Sequence, residues 1–427
     1  MVQRRISFFT QGCRLNQAET ATLIQGFSNT FEVVPFQESA DVVVINTCTV
    51  TENGDTDTRR LINKARKLNP STKIALIGCQ SQVLKEKLLE LPNVHWVIGN
   101  HEKMSLPTTI VETIDHENPI LNVTKLTRDP FTSHTVGVDT HHVRANLKIQ
   151  DGCDFYCSFC IIPFARGPAR SRDFQNSLEE AQALVKAGHQ ELILTGINLG
   201  TYDNSGKTLI DILDGLEAIP GLERIRISSI EPTTVASAVI AKMADPNSPV
   251  CAYLHLPIQS GSDDVLKGMR RHYNTQEYVH FVNQATQKVP VLGLGTDVIV
   301  GFPGETDTHF DETVSLLNTL PFSYFHVFSY SERSLTRATK LPDKVPPAII
   351  ARRSEVLRQL SHQKQTAFYT QFIGQTVPVL FEHHKNGYWS GTTEHYIKVK
   401  FKSNEDLKNT LKPVTLERVE NGIAYAS

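Results

Sequence analysis

Three cysteines within eight residues, Cys153, Cys157 and Cys160, follow directly on the apolar run 144–149 and constrain the fold of this chain more than any other feature. A loop with x3 then x2 spacing must present three thiolates from the end of a strand to one point. It needs a sheet behind it and an open edge in front, as in a (βα) barrel whose loops after the strands carry the chemistry. Three thiolates can hold three corners of a 4Fe-4S cube. The fourth iron is then free to chelate the amino and carboxylate groups of S-adenosylmethionine, whose radical chemistry lies outside the reach of side chains. A structural zinc site is the alternative, and its fourth ligand would have to be a distant residue such as His141 or His142.

The surrounding pattern supplies such a sheet. Apolar runs at 144–149, 191–195, 224–228, 252–256, 295–300 and 324–328 alternate with helical stretches, one of them opening on the capping-box pattern Ser177-Leu178-Glu179-Glu180. The series predicts an α/β domain, a partial (βα)6 TIM-like barrel rather than a full eightfold one. A separate series occupies the first hundred residues, with strands predicted at 5–9, 41–45, 73–77 and 95–98 and helices at about 16–28, 56–69 and 82–91. It reads as an N-terminal parallel α/β domain. Cys13, Cys48 and Cys79 each stand just past one of its first three strands. Parallel strands end on one edge of a sheet, so these distant thiols should meet. A second iron-sulfur cluster is the reading that placement favours, with core or redox-active thiols as the alternative. Cys251 opens an apolar strand and reads as an inert core residue. Seven cysteines in 427 residues are too few, and odd in number, for a disulfide framework.

Residues 117–141 lack periodicity and read as a linker. A basic helix is predicted over 345–371. Short strands at 376–381, 387–391, 396–401 and 414–419 then suggest a small antiparallel β-barrel of OB-like size. The expected domains are therefore 1–116, 142–371 and 372–427. Forty-three Lys and Arg balance 45 Asp and Glu, a net charge of -2 that announces no nucleic-acid partner. Neither a leader-like apolar segment after Met1 nor a bilayer-length apolar run is present in the sequence. A cytoplasmic protein without a membrane partner is expected, and in that reducing compartment clustered cysteines serve metals or catalysis.

Gln11-Gly12-Cys13-Arg14-Leu15-Asn16-Gln17, Gln150-Asp151-Gly152-Cys153 through Cys160-Ile161-Ile162-Pro163, Ala165-Arg166-Gly167 and Arg170-Ser171-Arg172 resemble the radical S-adenosylmethionine methylthiotransferases. The resemblance spans essentially the whole chain, and these motifs look most like the family's MtaB branch. It implies an N-terminal three-cysteine domain, a radical domain and a C-terminal TRAM domain. It further implies two 4Fe-4S clusters: a radical cluster on Cys153, Cys157 and Cys160, and an auxiliary cluster on Cys13, Cys48 and Cys79 that carries the sulfur to be inserted. One S-adenosylmethionine would methylate that sulfur. A second, cleaved reductively, would take hydrogen from C2 of N6-threonylcarbamoyladenosine at position 37 in a tRNA anticodon stem-loop. A radical suits a C-H bond too weakly acidic for a general base. An electron donor such as flavodoxin is implied as a partner. The family's Tyr-Ser-x-Arg-x-Gly-Thr is here Tyr330-Ser331-Glu332-Arg333-Ser334-Leu335-Thr336, with Leu335 in the glycine position.

Later strand ends offer Phe159, Thr195, Gly196, Asn198, Ser229, Glu231, Gln259 and Asp297 as contacts for S-adenosylmethionine, with turns and helix caps as the plainer reading. Gly293-Leu294-Gly295 lacks the third glycine of a dinucleotide fingerprint. His141-His142 and His383-His384 have no metal-site spacing and read as solvated. For RNA the candidates are Arg166, Arg170 and Arg172, the helical Arg352, Arg353 and Arg358, and Lys398, Lys400 and Lys402 on one outer face of a strand, with Tyr388 or Trp389 to stack on a base. Ordinary charged surface and barrel core are the competing assignments. Three functions stand against the threonylcarbamoyladenosine enzyme. Two are methylthiotransferases, one for isopentenylated adenosine and one for a ribosomal-protein aspartate. The third is an iron-sulfur redox or RNA-binding protein that never cleaves S-adenosylmethionine.

Overall fold

The structure, a computed structural model, describes residues 3–50, 52–133 and 142–427; His141 lies outside them. The N-terminal unit is a parallel sheet in the order Glu32–Val34, Arg5–Thr10, Val42–Thr47, Lys73–Gly78, Val94–Ile98, Ile120–Asn122. Every residue of Val42–Thr47 and Val94–Ile98 is buried, as befits central strands covered on both faces. One face packs against Phe27, Leu106 and Ile110 and the other against Phe36, Ile62 and Leu88. The two outer strands escape sequence reading because three residues carry no period. Ile120–Asn122 falls within the expected linker, so the start of that stretch is a sheet edge, and Phe131 further on bridges to Arg172.

In the next unit the strands Ala145–Lys148, Glu191–Thr195, Arg224–Ile227, Tyr253–His255, Gly293–Val300 and Tyr324–Ser329 run parallel in chain order. They form two three-stranded ladders, with Ile225–Val250 and Ser229–His255 bridging the third and fourth strands. One large apolar core lies between them and their helices. The helix expected to open at Ser177 instead opens at Phe174, where the Asp173 side chain accepts from the Asn176 N-H. Asp173 is the earlier strong cap, and Ser177 donates back to its carbonyl at 2.8 Å.

The long helix Pro347–Thr370 leads into a closed five-stranded barrel around Phe381, Trp389, Ile397 and Leu416. The barrel is not wholly antiparallel, because the final strand Ile423–Ala426 pairs parallel with Lys398–Lys402. Among the described residues no helix is long and apolar enough to cross a membrane.

Ion pairs hold the three units together. Glu19, on the helix Arg14–Phe27, meets Lys103 of its own unit and, across the boundary, Lys148 at 2.7 Å and Arg166 at 3.2 Å. Asp151 takes Lys148 at 2.7 Å, Arg166 at 2.9 Å and Arg170 at 3.4 Å. Arg166 also donates to Asn16 Oδ1 at 2.5 Å. Burial works to raise the Glu19 pKa, but Arg166, Lys103 and Lys148 together hold it well below the usual carboxylate range. On the far side, Arg226 binds Glu191 at 2.7 Å and the carbonyls of Glu394 and Thr393, while Arg224 binds those of Thr392 and Pro378. These bonds seat the C-terminal barrel on the parallel layer.

Replacing Glu19 by Gln leaves buried cations without their counter-charge, and should lower the unfolding free energy by about 3–5 kcal/mol in urea titrations. The folded pKa of Glu19 lies below its ordinary value of 4.5, so this stabilisation is present above that value and lost as pH falls. The difference between wild type and Glu19→Gln should therefore shrink as unfolding is measured at progressively lower pH. A difference independent of pH would contradict the assignment.

Candidate active site

Cys13, Cys48 and Cys79 share the carboxyl edge of the N-terminal sheet, each where a strand gives way to a loop or helix. A polar ladder fixes that edge. Asn16 Nδ2 donates to the carbonyls of Gln11 and Thr47, Asn46 Nδ2 donates to that of Asn16, and Thr47 Oγ1 donates to that of Ile77. Cys13 occupies the N-cap of Arg14–Phe27, and Cys79 begins the next short helix after Gly78. Helix N-termini favour negative charge, as a thiolate set requires. Gly12, at φ +84°, lets the chain pass against Cys48: a Cβ there would lie 2.8 Å from Cys48 Cβ and 2.9 Å from its Sγ. Burial pushes the Cys48 thiol up to about 11 and raises that of Cys79, so both stay protonated unless a cationic group joins them. Arg166, beneath this edge, favours their ionised forms.

The second set lies in the loop after Ala145–Lys148. Gln150 braces its start, donating to the Asp151 and Gly152 carbonyls and accepting from the Ile197 and Asn198 N-H groups. Ser158 ties the loop to Met269 and Gly268. Phe155 N-H points to Cys153 Sγ at 3.5 Å, and Arg271 Nη1 donates to Cys157 Sγ at 3.2 Å while its other nitrogen pairs with Glu231. Such donors to sulfur are among the features that tune iron-sulfur centres. Burial pushes Cys153 up to about 11 and Cys160 to about 12. Among the described residues no three His, Cys, Asp or Glu side chains converge tightly enough for a single metal ion. Two sets of three thiols, one exposed at Cys13, one buried at Cys79 and the other four half-buried, with N-H donors aimed at two sulfurs of the second set, fit iron-sulfur clusters. Cys251 is buried against the parallel layer, as expected for a core residue.

A chamber of about 830 Å³ joins the three units. Cys13 and Arg14 line it from the first, Thr195, Gly196, Ser229 and Asp297 from the second, and Tyr396 and Lys398 from the third. A smaller cavity of about 190 Å³ beside Cys160 contains Phe159, Gln259 and Asp297, together with Val50, two residues past Cys48. Asp297 and Phe328 line both spaces, so the two cysteine sets border connected ground. Asn198 does not line either: it is buried, and its Oδ1 accepts from Glu231 N-H and Thr234 Oγ1. Glu231 is engaged by Arg271 beside Cys157.

Several residues expected to meet RNA are elsewhere. Arg166 and Arg170 belong to the buried ion cluster, Arg172 pairs with Glu180, and Arg353 binds Glu305 at 2.5 Å and Asp307 at 2.8 Å. Trp389 lies in the barrel core, its indole N-H bonded to the Glu405 carbonyl. Arg352, Arg358 and Lys398 are exposed, and Lys400 is half-buried on the same strand. His383 and His384 are exposed, and His142 lines the chamber. Sequence reading passed over Arg271, which has no local motif, and Arg14 and Tyr396, which meet across 382 residues.

Residues 147–317 match the model of the radical SAM superfamily, and residues 5–99 that of the uncharacterized protein family UPF0004. The chain is 37% identical over 412 residues to the threonylcarbamoyladenosine tRNA methylthiotransferase MtaB of Bacillus subtilis (strain 168), covering 94% of this chain and 91% of that one. It is 31% identical to the tRNA-2-methylthio-N(6)-dimethylallyladenosine synthase of Carboxydothermus hydrogenoformans (strain ATCC BAA-161 / DSM 6008 / Z-2901), covering 97% of each. The solved structure of the radical S-adenosylmethionine methyltransferase TsrM from Kitasatospora setae, with cobalamin and an iron-sulfur cluster bound, shares the fold. Its TM-score is 0.53 at 14% identity, over 77% of this chain and 75% of that one. The chain belongs to the radical S-adenosylmethionine methylthiotransferases, enzymes that use S-adenosylmethionine and two 4Fe-4S clusters.

Proposed function

We propose that the protein replaces the C2 hydrogen of N6-threonylcarbamoyladenosine, at position 37 of a tRNA anticodon stem-loop, with a methylthio group. The observation that carries this reading is the common chamber, on which Cys13 of the first set and the S-adenosylmethionine candidates Ser229 and Asp297 both open. Sulfur insertion needs both sets within reach of one substrate carbon. The substrate follows the higher identity to the threonylcarbamoyladenosine enzyme, 37% against 31% for the dimethylallyladenosine one.

In this reading Cys153, Cys157 and Cys160 hold the radical cluster and Cys13, Cys48 and Cys79 the auxiliary cluster, on a partial (βα)6 barrel and an N-terminal sheet respectively. When bound, these groups and S-adenosylmethionine supply the radical, the sulfur and the methyl group, with electrons from a cytoplasmic donor such as flavodoxin. The chain's own part is placement. Gln150 and Ser158 hold the radical loop, and Arg271 donates to Cys157. Asp297 and its partner His255, 3.0 Å apart, border both cavities or the larger one. The TRAM-like barrel roofs the chamber with Tyr396 and offers exposed Lys398 and Lys402, with half-buried Lys400, to RNA.

Anaerobic assays with dithionite, S-adenosylmethionine and the modified stem-loop should give 5′-deoxyadenosine and a methylthiolated nucleoside by mass spectrometry. Cys157→Ala should abolish both, whereas Cys48→Ala should spare 5′-deoxyadenosine and abolish methylthiolation. Deoxyadenosine from Cys157→Ala, or methylthiolation by Cys48→Ala, would refute the division of roles.

Iron content separates the sets independently of turnover. The anaerobic protein should carry about eight iron per chain. Because a methyl group at Gly12 would collide with Cys48, Gly12→Ala should lose about half that iron and retain the radical cluster's electron paramagnetic resonance signal. Full iron in Gly12→Ala would show that Cys48 is not a ligand.

A further inference from the structure

One wall of the chamber carries positive charge that neither cysteine set accounts for. Its centre is Tyr396, which the C-terminal barrel projects into the chamber. Arg14 Nη2 donates to its hydroxyl at 2.8 Å. The guanidinium carbons of Arg144 and Arg226 lie 5.8 and 5.3 Å from its ring centroid, and Lys398 lines the same space two residues on. The four cations are not equivalent. Arg226 is bonded to Glu191, and Arg144 lies 3.2 Å from Glu382. The chamber's own acid, Asp297, is taken by His255 at 3.0 Å. Among the described residues, Arg14 and Lys398 have no carboxylate within ion-pair distance. A half-buried arginine and a lysine at the rim of a concave site, without counter-charge, are an arrangement suited to an anionic ligand.

On the substrate reading above, the base entering this chamber carries such an anion. The threonylcarbamoyl group on N6 ends in a free carboxylate, whereas the dimethylallyl group named for other relatives is apolar and uncharged. We propose that Arg14 and Lys398, which line the chamber together with Tyr396, bind the threonylcarbamoyl carboxylate and thereby select this nucleoside over adenosines with an apolar N6 group. Arg14 directly follows Cys13, so the grip on the N6 substituent draws the base toward the edge that bears the auxiliary set. Burial works to raise the Tyr396 pKa, yet Arg14, Arg144, Arg226 and Lys398 together hold it below the usual tyrosine value, in keeping with a positive field at this point. Leaving these cations unpaired around an apolar substituent would disfavour the wrong substrate, which is how a polar site discriminates most strongly.

Backbone phosphates are the other anions that could reach Arg14 and Lys398, and three stem-loops of one sequence separate the two sources. They carry threonylcarbamoyladenosine, its carboxylate methyl ester, or unmodified adenosine at the target position, and are titrated by fluorescence anisotropy against the anaerobically purified protein. Wild type should bind the free acid roughly 10- to 100-fold more tightly than the ester, the range of a charge-assisted hydrogen bond. Arg14→Gln and Lys398→Gln should bind acid and ester alike, near the ester's wild-type affinity, and Arg14→Lys should recover part of the preference. Equal wild-type affinity for acid and ester overturns the proposal, as does an equal loss for all three stem-loops in both variants, the mark of phosphate contact. Lys398 is exposed, so Lys398→Gln and the wild-type ester comparison carry the test even if Arg14→Gln folds poorly. Failure of the substrate reading looks different: wild type would then leave the threonylcarbamoyladenosine stem-loop without a methylthio group. If acid and ester are methylthiolated with equal KM, the carboxylate assignment alone falls.

Discussion

The buried contact among Glu19, Asp151 and Arg166 is the constraint on which the rest of the structure depends. Glu19 lies six residues after Cys13 and Asp151 two before Cys153, so the network ties the two cysteine loops together at their roots. Charges out of water are costly unless fully partnered. Here the partners come from both units, and separating them would leave Glu19 with Lys103 alone and take a counter-charge from Lys148 and Arg166. The orientation of the two cysteine sets is thus a condition of burying these charges at all. A hydrophobic interface of the same area could hold the units together, but it would tolerate sliding that hydrogen-bonded ion pairs do not.

The opposite seam follows the same logic with different chemistry. Arg224 and Arg226 reach from the parallel layer to carbonyls of the C-terminal barrel, and Glu191 beneath them supplies the counter-charge. Neutral carbonyls satisfy the guanidinium donors without adding negative charge to the chamber wall. The surplus on that wall therefore survives next to Tyr396, where a substrate rather than a protein carboxylate can answer it. Both seams place arginine where several directed bonds are needed from one side chain.

The cysteine spacing and the strand ends made the two cysteine sets and the parallel α/β architecture legible in the sequence, because period and spacing are local properties. What stayed hidden was where side chains are spent. Arg166, Arg170, Arg172 and Arg353 resemble RNA-facing arginines in sequence, and only the fold shows that carboxylates from distant segments consume them. Trp389 alternates with polar neighbours as an exposed stacking residue would, but alternation does not say which face of a barrel strand is inside. The chamber itself could not be read from any one segment, since Arg14, Ser229 and Tyr396 come from three separate units.

The same accounting explains how a chain of net charge -2 can serve an anionic substrate. Net charge sums over groups that cancel inside the molecule, and here much of the arginine is cancelled at the two seams. The field that a ligand meets is set by the few cations left uncancelled and by the low-dielectric walls around them. Arg14 and Lys398 are such cations, and they face the chamber that Cys13 lines and that shares Asp297 and Phe328 with the cavity beside Cys160. A strongly basic surface would attract every nucleic acid alike. A neutral protein with a small positive chamber confines attraction to that chamber, and so spends its charge on selection rather than on general affinity.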